Sequence, residues 1–177
     1  MARFAVWAVG ADQPGIVAGV TGVVLEQGGN LADCSMTILA GQFAMVLVVE
    51  FPDDRPVADV EAAFAPVAEQ LELGVSVRGL ANAPAGVAGS RFELAVYGAD
   101  RPGIVHAVAA ALADAGVNIT DLATRVIGSS ETPVYAALVD CVVPDSVSVD
   151  ALRTRVNALA AELGLDATLH PADVDVL

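Results

Sequence analysis

This chain carries one segment twice, and that repeat limits its architecture more than any other property. Gly10-Ala11-Asp12-Gln13-Pro14-Gly15-Ile16-Val17 returns 88 residues later as Gly98-Ala99-Asp100-Arg101-Pro102-Gly103-Ile104-Val105, with Gln13 to Arg101 the single change. The same offset sets Gly28, Asn30 and Asp33 opposite Gly116, Asn118 and Asp121. Farther on, Phe51-Pro52-Asp53 matches Val143-Pro144-Asp145 at an offset of 92. The second copy therefore holds four extra residues near Gly128-Ser129-Ser130-Glu131, which predicts a longer hairpin loop. Two copies imply two modules, 1–80 and 91–177. Between them, 81–90 is uncharged, rich in small residues and aperiodic, the composition of a linker.

Each copy has the same order of elements. Phe4, Val6 and Ala8, like Phe92, Leu94 and Val96, recur at every second residue and predict a first strand. Ile16, Val17, Val20 and Val24 then have helical spacing, with Asp12 and Asp100 expected as N-caps, Pro14 and Pro102 in the first turn, and Gly28 and Gly116 as helix stops. Strands follow over about 30–39 and 43–51, joined by a tight turn at Ala40-Gly41-Gln42. A striped helix, Val57, Val60, Phe64, Val67 and Leu71, matches Val149, Leu152, Val156, Leu159 and Leu163. Asp53, Asp54 and Asp145 precede these helices and read as helix-start carboxylates. A short strand near 75–78 completes the first β-α-β-β-α-β unit. The fold class is α+β: two tandem ferredoxin-like modules, each an antiparallel sheet with helices on one face.

The second sheet face is not polar. Ala5, Trp7 and Val9 point away from Phe4, and 43–49 is apolar at every position, as for a strand buried on both sides. Pairing between modules or a homodimer is expected to cover it.

Composition closes several functional classes. Eight basic residues, all arginine, stand against twenty-two acidic ones, giving a net charge of −14 that repels nucleic acid phosphate. The two Tyr, one Trp and five Phe offer little for base stacking, which also disfavours an RNA-binding module of similar topology. Although 55% of residues are apolar, no run suits a membrane span, and 1–4 lacks the pattern of a secretory signal, so a cytoplasmic protein is expected. Cys34 and Cys141 read as core residues. His106 and His170 lie in no metal-ligand or triad pattern, so neither a metal nor a cofactor is expected. No nucleophile, base and orienting group form a set, and the chain reads as non-catalytic.

The two strand-to-helix junctions, together with Gly28-Gly29-Asn30-Leu31-Ala32-Asp33 and Gly116-Val117-Asn118-Ile119-Thr120-Asp121, resemble the signature of ACT domains, small-molecule-binding regulatory modules. The resemblance covers nearly the whole chain outside the linker. Two such modules alone resemble the glycine cleavage system transcriptional repressor family. That resemblance implies a regulator that binds a small amino acid, glycine or serine first, and acts on a partner regulatory protein without binding DNA itself. Related modules precede catalytic domains in phosphoserine phosphatases, but no Asp-x-Asp-x-Thr nucleophile motif occurs here.

The junctions suit an amino acid chemically. Gly15 and Gly103 leave backbone N–H groups open at a helix start, where a carboxylate is favoured. Asp12, Asn30 and Asp33, with Asp100, Asn118 and Asp121, could accept from an ammonium group. The expected ligand-binding set is completed by Gln13, Pro14, Ile16 and Leu31 in one copy and Arg101, Pro102, Ile104 and Ile119 in the other, the site forming where one junction meets the second-strand start of a neighbouring module. The same residue types also serve as caps and turns, which leaves open a structural dimerisation module without ligand, or a small enzyme with an unrecognised site.

Overall fold

The computed structural model describes residues 1–80, 88–129 and 132–172. The chain divides into two compact units, Met1–Pro84 and Ala85–Leu177. The first contains β1 (Ala2–Ala11), α1 (Ile16–Glu26), β2 (Asn30–Leu39), β3 (Gln42–Phe51), α2 (Val57–Gln70) and β4 (Gly74–Leu80). The second contains β5 (Ser90–Gly98), α3 (Ile104–Asp114), β6 (Asn118–Ser129), β7 (Thr132–Val143), α4 (Val149–Leu163) and β8 (Leu165–Pro171). Each unit is βαββαβ with one antiparallel sheet, ordered β2-β3-β1-β4 and β6-β7-β5-β8. The linker region lies, for 81–87, outside the described residues, and Ser90 already pairs with Val143 in β5.

Periodicity explains where each core sits. Phe4, Val6 and Ala8 of β1 share a sheet face with Met45, Leu47 and Val49 of β3, and meet Ile16, Val20 and Val24 of α1 and Val60 and Phe64 of α2. The second core repeats this with Leu94, Val96, Val139, Ile104, Val108, Leu112, Leu152 and Val156. Burying each large side chain is worth roughly 1.5–3 kcal/mol, so the striped faces hold the helices on the sheets. The opposite face is less covered. Within the chain, Val46 is 40% and Val9 49% exposed, so β3 is buried on its helix side only. Cys34 departs from expectation: it lies on the edge strand β2, whose ten residues are all exposed. Cys141 is buried, as expected.

Helix ends match the sequence at one terminus and not at the other. Gly28 and Gly116 adopt φ of 70° and 75° just past α1 and α3. Around them Gly28 N–H donates to Leu25 and Gly29 N–H to Val24, with Gly116 to Ala113 and Val117 to Leu112 as the equivalents, so each stop uses two carbonyls of the last turn. At the N-termini Asp12 and Asp100 do not cap. The cap positions are Gly15 and Gly103, with no side-chain cap bond, and the helices begin at Ile16 and Ile104. The aspartates sit three residues too early, and the prolines belong to the preceding turn. Asp53 and Asp145 likewise do not cap: α2 follows Pro56 without a side-chain cap, whereas Ser148 accepts from Ala151 N–H at 3.3 Å at the start of α4.

The hairpins differ in an instructive way. Ala40 and Gly41 both take positive φ, 49° and 76°, and close β2 to β3 in two residues. The four extra residues of the second copy do not lengthen the loop. They lengthen the ladder, since β6 and β7 have 12 residues each against 10 for β2 and β3, and Ser129 pairs with Thr132. Two added residues per strand preserve which side faces the core, because side chains alternate with period two.

Candidate functional site

Most positions of the repeated octapeptide have a structural task. A Cβ on Gly10 would lie 2.7 Å from Leu73 Cδ2, and one on Gly98 would lie 2.4 Å from Leu165 Cδ2. Those glycines admit two buried leucines, Leu73 just before β4 and Leu165 at the start of β8. Asp12 N–H donates to the Gly41 carbonyl at 2.9 Å, tying the end of β1 to the hairpin turn. Gln13 Nε2 donates to the Leu71 carbonyl at 2.8 Å and Arg101 to the Leu163 carbonyl at 3.4 Å, so both hold the end of the module's second helix. Gly15 and Gly103 have φ of 98° and 94°, a region that favours glycine, and their carbonyls accept from Gly19 and Ala107. Ile16 and Ile104 are 1% and 3% exposed. They were expected at the ligand, but helical spacing sends their side chains into the cores, leaving only their N–H groups at the surface junction.

What remains is Asp12 with Pro14 and Asp100 with Pro102, exposed beside helix N-termini that no side chain caps. The second half of the expected set lies elsewhere. Asn30 opens β2 and pairs with Glu50, whereas the Asp12 junction lies by Gly41 at the far end of the same strands. The eleven residues of α1, about 16 Å of helix, run between these ends. One module therefore does not bring Asp12 and Gly15 together with Asn30, Leu31 and Asp33, nor Asp100 and Gly103 with Asn118 and Asp121. Asp33 also has a local duty that the sequence reading missed: its Oδ1 accepts from Cys34 N–H at 2.8 Å beside a bulge between Leu31 and Asp33. The second module repeats the bulge between Ile119 and Asp121.

An apolar cleft runs between α3 and β6, lined among others by Ile104, Val105, Val108, Ile119, Leu122 and Val139. It joins two members of the expected set, Ile104 and Ile119. Its interior of about 10 Å³ admits little more than one water, so by itself it cannot enclose an amino acid. Among the described residues, no group of three or more His, Cys, Asp or Glu is placed to hold a metal ion, and no helix is long and apolar enough to cross a membrane.

Comparison with known proteins follows the same division. Models of the ACT domain match residues 3–78 and 92–161. A UPF0237 protein of Methanopyrus kandleri is 38% identical over 79 residues, spanning 44% of this chain and 88% of that protein, and thus corresponds to about one module. A crystal structure of an unknown protein from Galdieria sulphuraria superposes with a TM-score of 0.83 at 25% identity, covering 97% of this chain and 98% of that one. The structure of a candidate glycine cleavage system transcriptional repressor gives a TM-score of 0.75 at 19% identity with 96% of each chain covered, which shows a shared fold.

Proposed function

This chain belongs to the ACT-domain family, and we propose that it is a non-catalytic regulatory protein whose junctions bind a small amino acid. The observation that supports this most is the residue left over. Once the packing and capping duties of the octapeptide are subtracted, each module still presents an exposed aspartate beside an uncapped helix N-terminus. Helix N–H groups favour the ligand carboxylate and the aspartate its ammonium group. Because the Asn30–Asp33 and Asn118–Asp121 segments lie at the other end of their own modules, they contribute to such a site only from a neighbouring module or molecule. Glycine and serine are the first candidates, and the response passes by protein contact to a partner regulator in the cytoplasm, in keeping with the charge of −14.

A thermal-shift screen of the twenty amino acids tests the reading, since a ligand at a hundred times its Kd adds about 2.7 kcal/mol to the folded state. A Gly15→Val variant is a poor control because positive φ strains it irrespective of ligand. Asp12→Ala and Asp100→Ala are better, as both side chains are exposed and neither caps a helix. Loss of binding in a fully folded double variant is the expected result. A wild type that binds none of the twenty favours a structural dimerisation module, a reading supported by how many signature positions serve the fold alone.

A further inference from the structure

We propose that the groove between α1 and α2 is a docking site for an amphipathic helix of another protein, one whose arginine pairs with Glu26. The proposal rests on the reading of a partner reached by protein contact and not on amino-acid binding. The groove has an open volume of about 340 Å³ and is lined, among others, by Gly19, Gly22, Glu26, Ala63 and Pro66. At offsets of 88 and 92 these become Ala107, Ala110, Asp114, Arg155 and Ala158, which line the corresponding groove between α3 and α4.

The second module shows such a groove satisfied from within. Arg155 of α4 reaches Asp114 of α3 at 2.8 Å. Asp114 and Glu26 are each the last residue of their helix, where the dipole disfavours a negative charge. Arg155 offsets that in the second module. Its counterpart in the first is Ala63, and among the described residues no cation pairs with Glu26. The first groove thus keeps the carboxylate and lacks the arginine.

Two helix residues supply an independent observation. Glycine and proline are the residues least favoured in helix interiors, yet Gly22 lies within α1 and Pro66 within α2, where the second module has the alanines Ala110 and Ala158. Gly19 has a reason inside the chain, since a Cβ there would lie 2.8 Å from Val67 Cγ2. Gly22 has none, because a Cβ there would meet nothing within 4 Å. Its bare backbone instead permits close approach from outside. Pro66 has no N–H for the Ala62 carbonyl one turn earlier, which leaves an acceptor at an exposed residue.

Charge selects the occupant. α1 and α2 carry Glu26, Asp59, Glu61 and Glu69 and no basic residue, so a cationic helix laid into the groove is favoured. A second copy of this chain fits less well. The arginines on its helices, Arg153 and Arg155, are already paired with Asp150 and Asp114.

The probe is a fluorescein-labelled helical peptide of about 16 residues, Leu, Ala and Arg only, with leucines at i, i+3, i+4 and i+7. Titrated into the full chain without added amino acids, it should bind with a micromolar Kd. A scrambled peptide of the same composition should bind about tenfold or more weakly, because charge alone does not fill the groove. Ala63→Arg, which recreates the Arg155 arrangement, and Gly22→Leu, which fills the gap, should each weaken binding about tenfold or more. Gly22→Leu should also raise Tm, since a helix former enters open space, and circular dichroism should show both variants folded. Ala110→Leu in the other groove should change affinity less than about twofold. Equal binding of the two peptides, or folded Ala63→Arg and Gly22→Leu variants that bind like the wild type, overturns the proposal. So does a wild type that self-associates in sedimentation and loses this in Ala63→Arg, which gives the groove to a second copy. Each of these outcomes leaves the amino-acid screen to be judged on its own result.

Discussion

The side-chain amide of Gln13 holds the carbonyl of Leu71 at 2.8 Å, and the guanidinium of Arg101 does the same for Leu163 in the other module. The one position at which the two octapeptides differ is therefore one at which both do the same work. Gln13→Ala should cost about 0.5–1.5 kcal/mol in urea unfolding. Arg101→Ala should cost a similar amount, its charge also favouring a helix C-terminus. Exchanging them, Gln13→Arg or Arg101→Gln, should be milder than either alanine variant.

The two kinds of glycine in the octapeptide should fail for different reasons. Gly15→Ala meets no atom within 4 Å but must hold φ near 98°, at a cost of roughly 1–2 kcal/mol. Gly15→Asn, which tolerates that conformation better, should cost less. Gly10→Ala instead presses on Leu73, and should cost about 1–3 kcal/mol by overpacking, with partial rescue by Leu73→Ala. Denaturant titration of the four variants separates strain from crowding.

The two thiols should differ sharply in reactivity. Cys34 is exposed, whereas burial, with a smaller contribution from the Asp140 charge, pushes the Cys141 thiol up to about 11. At pH 8 Cys141 is almost entirely protonated and out of reach. A disulfide reagent should titrate one thiol per native chain quickly and the second only on unfolding, and Cys34→Ser should remove the fast phase.

The Arg55 guanidinium, 2.6 Å from Asp53 and stacked 4.2 Å over the Phe51 ring, holds the Asp53 carboxyl below its ordinary value. A folded-state pKa below the unfolded one means that the pair stabilises above the ordinary carboxylate pKa and loses that contribution as pH falls through the lowered value. Carboxyl titration followed by NMR should show the low midpoint, and Arg55→Leu should return it toward the ordinary range.

Legibility in the sequence follows what each signal physically encodes. The periods of 2 and 3.6 are imposed by burial, so Phe4, Val6, Val60 and Phe64 declared their faces, and Gly28 and Gly116 declared the helix stops through positive φ. The site was harder to read. Asp12 and Asp100 looked like caps because residue type is informative only with the helix start fixed to one residue, and the left-handed Gly15 moves that start. Gln13 and Arg101 reach helix ends 58 and 62 residues away, a contact that no local pattern displays. Cys34 misled because burial on an edge strand depends on what the rest of the fold packs against it, which its own sequence does not state.

The two hydrophobic cores share no residue, each closing within its own unit. Cooperativity is therefore a property of each half before it is a property of the chain, and a single melting midpoint need not describe one equilibrium. Calorimetry should resolve whether Phe64→Ala, which empties part of one core, displaces only one of two transitions. The extent to which the other transition follows measures, in free energy, how strongly the first half reports its condition to the second, and a signalling protein built from two repeats depends on that quantity.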